Sequence, residues 1–162
     1  MREFLHPSGR GLALLQPSTR FALGLLLVFA LAAYVVMALL GISRSGFSPG
    51  SIATYYAGVA QGDGKTTGEL LELTHFHLFA MPLFCFVLGH VFFLCRWPAP
   101  ALRRWIVLAA FAGAACDLAA PWLVIHLSPL CAWVKIAGRL LFAPALVCMT
   151  LVPLYEIART RD

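Results

Sequence analysis

The sequence predicts an all-α fold, a four-helix transmembrane bundle with both termini in the cytoplasm, on three observations. Hydrophobic residues make up 61% of the chain, against ~45–50% in an ordinary soluble domain. Mean hydropathy is +0.86, and the apolar residues gather into four runs long enough to cross a hydrocarbon layer, which takes about 20 residues each. The basic residues cluster at alternate ends of those runs, as they do where positive charge stays on the cytoplasmic side. In 162 residues four spans leave room for short connections and no soluble catalytic domain.

Taken in order, residues 1–19 form a cytoplasmic segment. Pro7, Ser8, Gly9, Pro17 and Ser18 deny it the length and apolarity of a span, so it should lie on the surface or pack on the bundle. The rest, 20–162, is one transmembrane domain. Its first span, 20–40, is longer than a signal-peptide core and lacks a clear A-x-A site, so it reads as retained. Residues 41–69 are polar and glycine-rich, too hydrophilic to span and too long for a tight turn, and read as a periplasmic loop. Within it SIATYYAGVA suits a short interfacial helix with Tyr55 and Tyr56 as headgroup-level anchors. The second span is 70–95. The third, 104–127, carries Asp117 near its middle and Pro121 as an expected kink; the fourth, 131–155, carries Lys135, Arg139, Pro144 and Pro153.

Arg2, Arg10, Arg20, Arg96, Arg103, Arg104, Arg159 and Arg161 share one side of this arrangement and outvote Arg44 and Lys65 in the long loop. That puts both termini and the short second loop of a multi-pass chain in the cytoplasm. The net charge of +5 follows from this topology, with some affinity for anionic lipid, and calls for no nucleic acid.

The functional signal is histidine. His75, His77 and His90 lie in the second span and His126 ends the third; ionisable groups in a span are costly, so they mark function by default. By helix rise His75, His77 and His126 share the outer end, whereas His90 lies ~20 Å deeper than His77. His75 and His90 stand about 60° apart around the helix, His77 and His90 about 140°. Periodicity leaves open whether His75 or His77 faces the bundle. If it is His75, it pairs with His126 at an outer site and His90 marks an inner one.

Two histidines facing each other from neighbouring helices in an apolar bundle suit a b haem, one per chain or two. Phe76, Phe79, Phe84 and Phe86 supply apolar bulk. Small residues such as Gly89, Gly113 and Gly138 allow close approach. Lys135 and Arg139, one turn apart, break the positive-inside pattern, and a haem propionate or Asp117 would account for the break. Asp117 and Arg139 also suit a buried ion pair near mid-membrane, structural or lining a proton or quinone path. The methionines read as packing. Cys85, Cys95, Cys116, Cys131 and Cys148 form no C-x-x-C or C-x-x-C-H, which excludes covalent haem attachment of the usual c type.

The run Thr74-His75-Phe76-His77-Leu78 resembles the H-x-H-L segment opening a histidine-bearing helix in small relatives of haem-copper oxidase subunit I. The whole chain resembles small bacterial inner-membrane proteins with an ELTHFHLF-type second helix. The first likeness implies that His77 or His75 ligates a b haem. The copper site and further histidines of those oxidases have no counterpart here, so oxygen reduction is not implied.

The expectation is a haem b electron-transfer protein or subunit working between the quinone pool and a periplasmic cytochrome, with lipid and other membrane subunits as neighbours. One alternative is a non-redox accessory or assembly subunit of a larger complex. Another is a metal-handling protein using His75, His77 and Glu72 at the outer mouth; two residues apart on a helix point about 200° from each other, which weighs against a shared ion.

Overall fold

The computed structural model describes residues 11–58 and 64–159. Pro7, Ser8, Gly9, Arg2, Arg10 and Arg161, on which the N-terminal and orientation readings partly rest, lie outside them. Helices α1 (Pro17–Ser45), α2 (Pro49–Ala57), α3 (Thr67–Phe93), α4 (Pro100–His126) and α5 (Ala132–Arg159) follow in order. All but α2 are long and apolar enough to cross a membrane.

The boundaries follow from local chemistry. α3 starts three residues before the expected span because Thr66 and Glu69 form a capping box: Glu69 N–H donates to Thr66 Oγ1 at 3.2 Å, and Thr66 N–H donates to Glu69 Oε2 at 2.8 Å. Ser48 and Ser51 cap α2 reciprocally in the same way. α1 runs past residue 40 until Gly46, whose φ of +66° suits a residue without Cβ, ends it. Pro17, Pro49 and Pro100 occupy first turns, where a missing N–H costs nothing.

α4 and α5 pack closest, with α3 against both, and α1 sits chiefly on α5 and α2. Glycine sets the α4–α5 distance. A Cβ at Gly113 would stand 2.7 Å from Phe142 N, and one at Gly138 would stand 2.9 Å from Asp117 N, the small-residue approach that membrane helices use. The main core joins Leu27, Met81, Cys85, Leu88, Phe92, Leu146 and Met149. Leu12, in a short 3-10 turn ahead of α1, is fully buried in it, so this part of the N-terminal segment packs on the bundle.

At the arginine-rich end, Arg103 reaches back from α4 to donate to the Phe93 carbonyl at 2.8 Å and to that of Cys95, capping the end of α3. Glu156 on α5 accepts from Arg96 N–H at 2.7 Å and Trp97 N–H at 3.1 Å. Burial and, secondarily, the Glu156 charge push the Cys95 thiol up to about 12, which leaves it unreactive at neutral pH.

Replacing Gly113 by leucine should force α4 and α5 apart and lower stability by ~1–3 kcal/mol, read as a reduced midpoint of thermal unfolding in detergent. An unchanged midpoint would show that the contact does not set the packing.

Candidate functional site

The charged residues of the apolar helices meet at the end of the bundle that carries α2. Asp117 on α4 receives Lys135 of α5, with Nζ 2.9 Å from Oδ1, and Arg139 one turn on, with Nε at 3.9 Å. The expected Asp117–Arg139 pair is thus present, with Lys135 as the closer partner. Lys135 also donates to the main-chain carbonyl of Asp117 at 3.2 Å. That carbonyl is available because the residue four on is Pro121, which has no N–H to complete the helical bond. The D-x-x-x-P spacing therefore builds a two-oxygen receptor for an ammonium group.

Arg139 has a second engagement. Its Nη1 donates to the Gly46 carbonyl at 2.7 Å and its Nη2 to Ser45 Oγ at 2.7 Å. Its guanidinium lies 5.8 Å from the Phe47 ring centroid. The end of α1 is thereby capped from α5, which satisfies a carbonyl that no helical N–H reaches.

These groups line a cavity of about 450 Å³ between α1 and α3, backed by α4 and α5, within the ~300–1,000 Å³ typical of small-molecule sites. Tyr34, Met37 and Ala38 form the α1 wall, and Leu73, Thr74, His77 and Met81 the α3 wall. Three cations, Arg44, Lys135 and Arg139, face one carboxylate, Asp117, across that lining. The remaining walls are largely apolar.

α2 lies across this end. Ile52, Ala53 and Tyr56 are buried, one face of a helix at i, i+1 and i+4, and Ile52 and Tyr56 join a second core with Leu70, Val124 and Ala132. The expectation of Tyr56 as a headgroup anchor is corrected. The residue is 4% exposed and its ring centroid lies 5.4 Å from Lys135 Nζ, because this face of α2 turns inward. Burial, reinforced by the nearby Asp117 carboxylate, raises the Tyr56 phenol pKa, so it stays protonated at neutral pH. Tyr55 packs edge-on against Tyr56 and also borders the cavity.

Of the four histidines among the described residues, the structure brings only His77 to the cavity. Its Nδ1 lies 2.8 Å from the Leu73 carbonyl. A carbonyl only accepts, so Nδ1 carries the proton and Nε2 of the neutral ring is left with a lone pair. His75, His90 and His126 are on exposed faces. The proposed pairing of His75 with His126 is not formed, for reasons of helical period. His75 stands about 200° from His77, and His126, nine residues beyond Asp117, stands about 180° from it. His126 stacks on Trp122 at 5.7 Å, and Trp122 Nε1 donates to Thr74 Oγ1 at 2.8 Å. His90 lies against Phe86 at 5.4 Å. Among the described residues no three His, Cys, Asp or Glu side chains converge to hold a metal ion, and all five cysteines are free thiols.

Four apolar helices around a partly charged cavity define a multi-pass membrane protein. Residues 46–162 match the model of the Aq_1264_TM family, a transmembrane helical domain, and the chain belongs to that family. No curated protein and no solved structure matches it.

Replacing Asp117 by asparagine leaves Lys135, 5% exposed, without its counter-charge, and should destabilise the fold by ~3 kcal/mol, the lower end for breaking a buried pair. The double variant Asp117→Asn/Lys135→Met should recover most of that loss in the same unfolding measurement. Additive losses would show that the pair is not coupled.

Proposed function

We propose that this chain is a membrane electron-transfer subunit whose cavity holds one b haem through His77. The observation that carries the reading is the donor set: a histidine with an uncommitted Nε2, in an apolar cavity whose lining has two more cations than carboxylates. A haem is a flat apolar ring with two anionic propionates. His77 would supply the iron ligand; Arg44, Lys135 and Arg139 would face the propionates, charge against charge. When bound, haem supplies one-electron chemistry. The protein's residues orient it and, with Tyr34, Phe142 and Met81, exclude water from its faces. On this reading the membrane is a bacterial inner membrane, with the arginine-rich end in the cytoplasm and α2 in the periplasm, an orientation the positive-inside pattern supports. There a cofactor would serve a periplasmic cytochrome on one side and the quinone pool on the other.

A second reading keeps the site and changes the occupant. The cavity lies between two helices that face lipid, so an anionic phospholipid could place its head on the same cations, making the chain an accessory subunit without redox chemistry.

A reduced-minus-oxidised visible spectrum with pyridine haemochrome quantitation separates the two. The expected result is a b-type band, lost in His77→Ala and kept in His75→Ala, His90→Ala and His126→Ala. Pigment that survives His77→Ala would place the haem elsewhere. Absence of pigment together with co-purifying anionic lipid would support the accessory reading.

A further inference from the structure

The cavity's walls are not equally held. In its most apolar window α1 is 11% buried, against 28–33% for the other three spans, and its main helix contacts are with α5 and α2, not α3. The family match begins at Gly46, where α1 ends. Across the gap, Tyr34, Met37 and Ala38 face Leu73, Thr74 and His77. α2 covers the end of the bundle through Ile52 and Tyr56. The side of the cavity between α1 and α3 is therefore the side turned to the bilayer.

Resting on the reading that the cavity takes an anionic phospholipid, the geometry points to a lateral gate. The ligand enters from the leaflet on the α2 side, through the seam between α1 and α3, and Arg139 is the positioning residue that couples its arrival to the seating of α1. An amphiphile moving in that leaflet keeps its charged head at interface level, where Arg44, Lys135 and Arg139 lie near the ends of α1 and α5. Its apolar part would lie along the seam toward Met81 and Phe142. Arg139 is both the cap of α1 and a cation of the cavity. Two of its five donors hold Ser45 and Gly46, and the guanidinium also faces Asp117. An anion reaching it must share the fork with Ser45 Oγ or displace it, and either event moves the end of α1. Lysine keeps the charge but cannot hold the α1 carbonyl, the Ser45 hydroxyl and an anion in one planar fork.

The test uses full-length protein stripped of amphiphile by detergent exchange. Spin labels go on Leu39→Cys of α1 and Leu127→Cys beyond α4, both exposed, with Cys116→Ser, Cys131→Ser and Cys148→Ser removing the partly exposed thiols. Distance distributions are measured in nanodiscs of phosphatidylcholine, with and without phosphatidylglycerol, and native mass spectrometry reads the retained lipid. The expected result is retained phosphatidylglycerol and a shifted, narrowed α1–α4 distance; Arg139→Lys should retain the lipid without the shift. Retention with no shift, or an identical shift in Arg139→Lys, would overturn the gate alone. A shift reproduced by inorganic phosphate in phosphatidylcholine discs would also overturn it, by showing loading from water. Failure to retain phosphatidylglycerol at all would overturn the phospholipid reading, and the gate with it, while leaving the haem reading to its own spectrum.

Discussion

A carboxylate and two cations, the lysine buried and the other two partly so, organise the half of this bundle that carries α2. Unpaired, any of the three would be expelled or neutralised. Placed together they require α4 and α5 to come close, and Gly138 makes that approach feasible by letting α5 pack directly on the Asp117 backbone. Pro121 adds a second acceptor by withholding its N–H. The charges, the glycines and the proline are thus one device spread over two helices. Arg139 extends it to α1, and the Tyr56 ring beside Lys135 extends it to α2.

This arrangement also explains why polar chemistry sits beside hydrocarbon. A bundle of four apolar helices needs no charge to be stable, and buried ion pairs are weak evidence for stability as such. Here the cluster is incompletely balanced within the cavity lining and borders space that protein side chains do not fill. His77 is oriented by the Leu73 carbonyl of its own helix and presents its second nitrogen on the same wall. An apolar cavity with surplus positive charge and an oriented imidazole is the arrangement on which both proposed occupants rest.

Much of this was legible in the residues. The four spans stand out by composition, and Thr66-x-x-Glu69 marks the start of α3. Lys135 and Arg139 announce themselves by breaking the charge pattern, with Asp117 as their natural partner. The histidines were harder, because depth alone makes His75, His77 and His126 look convergent. Phase separates them: once Asp117 faces inward, His126, nine residues on, must face out, and His77 excludes His75 in the same way. Tyr56 was misplaced because aromatic residues in a polar loop look like anchors, and only the packing of Ile52 beside it shows which face of α2 is turned in. Arg139's hold on Ser45 and Gly46 joins residues more than ninety positions apart and leaves no local pattern.

The boundary at Gly46 has a further meaning. The charged groups that would read a ligand's head, apart from Arg44, come from the segment that matches the family, while one of the two walls flanking its apolar part would come from α1. Part of the recognition of shape would thereby rest on a length of chain separable from the recognition of charge. A substitution along Tyr34, Met37 or Ala38 would alter which body fits without disturbing the Asp117 cluster, so specificity in such a protein can drift while its electrostatic centre stays constant.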